Sequence, residues 1–290
     1  RFATVLGFDA PALTAARFTP GEIVVETVAG TVVHRQSSEG WEVEDGGARV
    51  SLRGLRRQAL AVELPAVGQA LFKYTPPEAI ANHVAEPPAL DGTLTGFVQD
   101  DPLSLDHDDQ YRRSETAFPG PEAFAARAWL AWDEPALFVA VAVTKGDLTF
   151  RSVAGTPLRL DNEPDLIHSD GLQLYLQTEG QPRLGVLVVP DPDSSALQVH
   201  SVSGNSAVGV AVRGAWRRSA DGYVVTLGIS SPGWPPAAND PAPRFDLIVN
   251  EMRPGRARRL GQLVWTGGGG WVYLRGDRQD PARAGRLLLS

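Results

Sequence analysis

Oxygen ligands are concentrated at two places in this chain, Asp106-His107-Asp108-Asp109 and Asp161-Asn162-Glu163-Pro164-Asp165, with His168 and Asp170 just beyond the second. Hard cations such as calcium favour carboxylate and carbonyl oxygens. Asn162, Glu163 and Asp165, together with backbone carbonyls, are therefore the candidate metal set. The same residues also describe a solvated acidic loop, because their spacing is not that of an EF-hand. His168 and Asp170 stand two residues apart, so on a strand they would share a face and could act as an acid–base pair or simply as a structural hydrogen bond.

Guanidinium groups form the complementary set: Arg112, Arg113, Arg253, Arg256, Arg258, Arg259 and Arg278. Their forked donors suit carboxylates, sulfates and sugar hydroxyls, which makes an acidic glycan a candidate partner. The run from Arg253 to Arg259 also reads as the charged tip of a hairpin. Among the seven tryptophans, Trp234, Trp265 and Trp271 lie in Pro- or Gly-rich surroundings that could bring them to a rim. Trp271 is the strongest of these as a platform, since the four preceding glycines offer it no packing. Trp129 and Trp132 differ by three positions, so at most one of them is expected in the core.

Motifs for catalysis are absent: there is no GxSxG, HExxH or Walker sequence, and the Gly267–Gly270 run does not open a helix. The expectation is a protein that is not an enzyme. A net charge of −7 argues against a nucleic-acid partner, and no apolar run is long enough to cross a bilayer. No cysteine is present, which excludes disulfides and thiolate chemistry and leaves the compartment open. The chain begins at Arg1 and reads as a mature or excised fragment of a longer protein.

The elements that must position these groups read as strands. Up to about Pro65, short β-prone runs alternate with turns such as Ala29-Gly30 and Asp45-Gly46-Gly47, predicting a small antiparallel β domain over residues 1–75, or the tail of an upstream region. Residues 76–88 are Pro-rich and read as a linker. From 89 to 290 strands recur at sandwich spacing, including Leu137–Thr144, Gly171–Gln177, Leu184–Val189, Tyr223–Ile229 and Phe245–Asn250. In the segment from Gly222 to Ile229, Tyr223, Val225, Leu227 and Ile229 share the face predicted to be core. No helical stripe is sustained, so the class is all-β.

Taken in order, PALDGTLTGF, ARAWLAWDEPALFVAVAVTKGD, DLIHSDGLQLYLQT, DGYVVTLGIS, RFDLIVNEM, LVWTGGGG and DPARAGRLLL resemble carbohydrate-binding module family 9, the DOMON-like fold, over about residues 86–289. The resemblance implies a non-catalytic antiparallel β-sandwich from a larger secreted or periplasmic polysaccharide-processing protein. It also implies structural calcium and a sugar held between two tryptophans. This sequence departs from that pattern at the positions implied to bind. Ile167 stands where the first tryptophan belongs, Arg278 where the second belongs, Gln173 where an acid belongs and Thr226 where a glutamate belongs. A sugar binds largely by laying its C–H face on an aromatic ring, so two such platforms are missing.

The implied ligand site is the loop edge carrying Ile167, His168, Asp170, Gln173, Asn250, Glu251 and Arg278, with Trp271 as an added platform. Two other readings follow from the same resemblance. One is a structural or protein-docking sandwich that has lost sugar binding. The other is a haem-binding electron-transfer domain, for which Met252 with His168 or Lys145 would supply the ligands.

Overall fold

The computed structural model describes residues 13–19, 22–27, 30–37, 40–45, 48–53, 61–63, 71–73, 76–158, 160, 164–202, 209–268, 272 and 283–290. The chain divides into two compact units, Arg1–Pro76 and Pro77–Ser290. The described residues are all-β, with short 3-10 turns and no α-helix.

In the first unit, β1 (Leu13–Thr19), β2 (Glu22–Thr27), β3 (Gly30–Ser37), β4 (Gly40–Asp45) and β5 (Ala48–Arg53) form an antiparallel meander in chain order. Two residues separate each strand from the next, a spacing that suits hairpins. A separate pair joins β6 (Ala61–Glu63) to β7 (Leu71–Lys73). Of the β-prone runs that the sequence predicts up to Pro65, the first, Ala3–Phe8, lies outside the described residues.

The second unit is a β-sandwich. Its strands are β8 (Glu78–His83), β9 (Leu103–Leu105), β10 (Tyr111–Arg113), β11 (Phe124–Trp132), β12 (Leu137–Lys145), β13 (Gly171–Gln177), β14 (Leu184–Pro190), β15 (Leu197–Ser201), β16 (Ala211–Arg218), β17 (Gly222–Ser230), β18 (Arg244–Glu251), β19 (Gly261–Val264) and β20 (Gly285–Leu289). They hydrogen-bond in the order β15-β14-β13-β18-β20-β8-β11-β12-β17-β16, with β19 and β10 continuing outward from β18, and β9 beside β11. Pairing is antiparallel except where β8 runs parallel to both β20 and β11. Those parallel pairings join the two layers.

The segment 76–88, predicted as a linker, is corrected by this topology, because Glu78–His83 is the joining strand itself. Its prolines bracket the strand at Pro76-Pro77 and Pro87-Pro88 instead of interrupting it. Ala79 and Ala81 are fully buried, while Ile80 between them is exposed.

Period-two alternation fills the interior. Leu137, Val139 and Val141 of β12, Tyr223, Val225, Leu227 and Ile229 of β17, Leu172 and Leu174 of β13, and Phe245, Leu247 and Val249 of β18 form one core. Burying each such side chain contributes roughly 1.5–3 kcal/mol. The outer face of β11 and β12 is covered as well, by the segment after β8, whose Phe97, Leu90 and Leu94 pack on Trp129, Ala131 and Phe138. Hence Trp129 and Trp132 are both packed, on opposite faces, where one at most was expected in a core. The Nε1–H of Trp129 donates to the Gln99 carbonyl at 3.1 Å.

Candidate functional site

Polar residues interrupt the outer face of the β13–β18–β19–β10 layer at positions set by strand register. Asn250 pairs with Gln262 across β18 and β19, and Gln262 pairs with Arg112 across β19 and β10. On β13, Gln173 and Tyr175 project to the same outer side, since Leu172, Leu174 and Leu176 point into the core. The result is a continuous row of side-chain hydrogen bonds. Arg112 Nη1 donates to Gln262 Oε1 at 3.2 Å, and Gln262 Nε2 donates to Asn250 Oδ1 at 2.8 Å. From the other side, Tyr175 Oη donates to Gln173 Oε1 at 2.8 Å and Gln173 Nε2 donates to Asn250 Oδ1 at 3.2 Å. Arg183 lies over the Tyr175 ring, 4.6 Å from its centroid. Arg112, Gln173, Asn250 and Gln262 are all fully buried.

Only part of the predicted ligand edge converges here. Gln173 and Asn250 belong to the row. Ile167, in the 3-10 turn Asp165–Ile167, is fully buried in an apolar cluster with Leu166, Tyr175, Leu187, Val189, Val202, Ile248 and Val264. It therefore packs against the flank of the row as a core residue and presents nothing to solvent. His168 is fully buried, and its Nδ1 accepts the Arg259 backbone N–H at 3.3 Å. Trp271 and Arg278 lie outside the described residues.

Asp170 and Glu251 face the interior side of the sandwich mouth, and this corrects their assignment to the ligand edge. Asp170 Oδ2 accepts from Lys145 Nζ at 3.0 Å and from the Thr149 N–H at 2.6 Å, while Oδ1 accepts from the Met252 N–H at 2.8 Å. Burial pushes this carboxyl up to about 6, against the opposing pull of Lys145 and the two backbone donors. Glu251 follows Phe245, Leu247 and Val249 on the inner face of β18. Its Oε2 accepts from Tyr111 Oη at 2.5 Å, and burial raises the carboxyl. The same burial, reinforced by the neighbouring Glu251 charge, raises the Tyr111 phenol far above its ordinary value. These contacts tie β10, β12, β13 and β18 together and leave neither carboxylate turned to the outer row.

For the metal set, Asn162 and Glu163 lie outside the described residues. Asp165 Oδ2 accepts the Leu158 N–H at 2.8 Å. Among the described residues, no three His, Asp or Glu side chains are gathered in a way that could hold a metal ion. Two of the three haem-ligand candidates have their side chains engaged elsewhere, and the third is buried. Lys145 is bound to Asp170 and to the Asp147 carbonyl, the His168 ring meets Arg259, and Met252 is fully buried beside Asp170. Thr226 lies on the other layer, where its Oγ1 accepts the Gly92 N–H at 2.8 Å, so it fastens a loop and not a ligand.

The arginine run is divided by structure. Arg256 forms a forked pair with Glu115 at 2.9 and 3.1 Å. Arg259 is fully buried, with Nη2 reaching the Val272 carbonyl at 3.4 Å, against the expectation of a solvated tip. Trp265 is core, packed on Phe245, and Trp234 stands edge-on to Trp132 with its N–H on the Asp133 carbonyl. Neither forms a free platform.

Gln262, Tyr175 and Arg183 were not among the sequence candidates, and Arg112 appeared there only as one arginine of many. The available signal was a polar residue at alternate positions of otherwise apolar strands: Gln173 in GLQLYLQ, Asn250 in FDLIVNE and Gln262 in GQLV. A pocket of about 340 Å³ also opens beside the Asp165–Ile167 turn, lined by Arg151, Thr156, Asp165, Leu166 and His200. Burial lowers the His200 imidazole from its ordinary value.

No family model matches this chain, and no curated protein matches it. Among solved structures it is similar to a carbohydrate-binding module family 9 from Caldicellulosiruptor kristjanssonii in complex with cellotriose, at 16% identity over 73% of this chain and 93% of that one, with a TM-score of 0.48.

Proposed function

We propose that this chain is a non-catalytic carbohydrate-binding or accessory module. The observation that carries the reading is the order of the seven segments that resemble carbohydrate-binding module family 9, six of which contain a strand of the sandwich or part of one. The row Arg112–Gln262–Asn250–Gln173–Tyr175, shielded from solvent, braces the sheet as a rigid support. On this reading the parent protein acts on polysaccharide outside the cytoplasm, and calcium at the loop containing Asp165 stabilises the fold. Among the described residues no helix is long and apolar enough to cross a membrane.

Affinity electrophoresis against neutral and acidic polysaccharides, with and without calcium, tests the proposal. Retardation by at least one glycan is expected. Failure with every polysaccharide counts against it.

The burial of Ile167 where a stacking ring belongs favours a second reading, a protein-docking sandwich. Here a partner would be captured from the parent organism's extract while all glycans fail.

A further inference from the structure

We propose that the pocket beside the Asp165–Ile167 turn receives one neutral sugar unit, held by Arg151, Asp165 and His200. This proposal rests on the carbohydrate-binding reading above and gives that reading its site and its ligand class. Ile167, Gln173 and Asn250, where the family resemblance implies the sugar, take no part in it, since all three are fully buried.

The pocket is open to solvent and its frame is fixed. It measures about 340 Å³, near the lower end of the roughly 300–1,000 Å³ usual for ligand sites. Val153, Thr156 and Pro157 of its lining are exposed. One wall is the segment that begins at Arg151, fastened to the end strand β15 by Gln198. The Gln198 Nε2 donates to the Arg151 carbonyl at 2.7 Å, and its Oε1 accepts the Val153 N–H at 2.7 Å. His200 follows Gln198 by two residues on β15, so both side chains leave the same face of the strand. Another wall is the 3-10 turn, tied to the same segment where Asp165 Oδ2 accepts the Leu158 N–H at 2.8 Å.

Arg151, Asp165 and His200 are the titratable groups of the lining, and their balance selects the ligand. Arg151 commits Nε to the His168 carbonyl at 2.6 Å and Nη2 to the Arg256 and Ala257 carbonyls at 3.2 and 3.3 Å, which leaves Nη1 as its donor. Asp165 keeps Oδ1 as an acceptor, because Leu158 occupies Oδ2. The half-buried His200 ring has no hydrogen-bond partner among the described residues, and burial holds it below its ordinary value. At neutral pH it is therefore uncharged, with one nitrogen donating and the other accepting. A carboxylated sugar would meet the Asp165 charge and an amino sugar the Arg151 charge. A hydroxyl both donates and accepts, so adjacent hydroxyls of a neutral sugar match all three groups. Pro157, Pro164 and Leu166 supply apolar surface, as does Val153, at 63% the most exposed large apolar side chain among the described residues. A lone exposed valine needs no explanation. On the lining of a polar pocket it gives a sugar's C–H face a surface to lie on, where the resemblance implies aromatic rings that this sequence lacks.

The test uses the full chain and isothermal titration with β-linked tetramers of glucose, mannose, xylose and galactose, and with the tetramers of galacturonic acid and glucosamine. At least one of the four neutral tetramers is expected to bind at least about tenfold more tightly than the two charged ones, the effect of roughly one hydrogen bond to a charged group. Asp165→Asn and His200→Leu are each expected to weaken that neutral tetramer about tenfold or more at an unchanged melting temperature. Should Asp165→Asn not fold, because the Leu158 N–H rests on the same carboxylate, His200→Leu decides the location. A neutral tetramer that binds His200→Leu as tightly as the parent overturns the pocket and leaves the carbohydrate reading standing. Equal or tighter binding of either charged tetramer overturns the neutral assignment. Failure of all six overturns the proposal, and failure across the polysaccharide panel as well overturns the carbohydrate reading itself.

Discussion

Gln262 sits between a donor-only guanidinium and an acceptor already shared by two amides, so it cannot be replaced by an apolar residue of similar size without consequence. Gln262→Leu leaves Arg112 Nη1 without its amide acceptor and takes one of the two donors from Asn250 Oδ1. The expected loss is about 1–3 kcal/mol of stability, read by urea denaturation. An unchanged midpoint would mean that the row is looser than its geometry. Asp170 gives a second expectation at this scale. Its carboxyl is raised to about 6 by burial, so the folded protein holds the proton at pH values where the unfolded chain releases it. The stability supplied through this group is fully present below the ordinary carboxylate range and is lost as pH rises through about 6. Between pH 4 and pH 7, therefore, Asp170→Asn is expected to flatten the decline of melting temperature seen in the parent protein; parallel profiles would contradict the assignment. Asp170 was visible in the sequence as a carboxylate of the SDG segment. Its role was not, because Lys145 and Met252, which hold it, lie 25 and 82 residues away in the chain.

At the scale of elements, the loop after β8 is held down by three residues of PALDGTLTGF. Asp91 Oδ1 accepts the Thr93 N–H at 3.0 Å, and its Oδ2 meets Arg217 at 3.0 Å. Gly92 adopts φ +81°, and a Cβ there would stand 2.7 Å from the backbone nitrogen of Arg217. Gly92→Ala combines a left-handed backbone with contact against a strand that cannot yield, so a loss of about 1–3 kcal/mol or more is expected from thermal unfolding. Leu90 and Phe97 should loosen from Trp129 in the same variant, shifting tryptophan fluorescence to the red. The strands themselves were legible because their inner positions alternate cleanly, as Tyr223, Val225, Leu227 and Ile229 do. β8, β9, β10 and β15 escaped notice for a physical reason. They are three to six residues long and hold at most one β-branched residue each, so only their partners in the sheet define them. The row was hidden in the same way: three amides from three strands meet only through register.

For the whole molecule, the division at Pro76–Pro77 falls just before a strand that closes the larger unit on itself. β8 joins β20 on one side and β11 on the other, and the Ser290 N–H donates to the Ala81 carbonyl at 3.0 Å while the His83 N–H donates to the Ser290 carbonyl at 2.7 Å. The ends of residues 77–290 are thus locked together by the sheet that they complete. Every residue of the row and of the main core also lies within this span. We propose that it is an independent folding unit, and a fragment of residues 77–290 is expected to unfold in one cooperative transition and to bind the same glycan with unchanged affinity. Removing β8 as well, by starting at residue 84, opens both parallel pairings and strips the cover from Leu287 and Leu130. That shorter fragment is expected to lose the cooperative transition. Calorimetry on the two fragments separates the cases, and a fragment from residue 84 that melts like the longer one would show that the joining strand is dispensable.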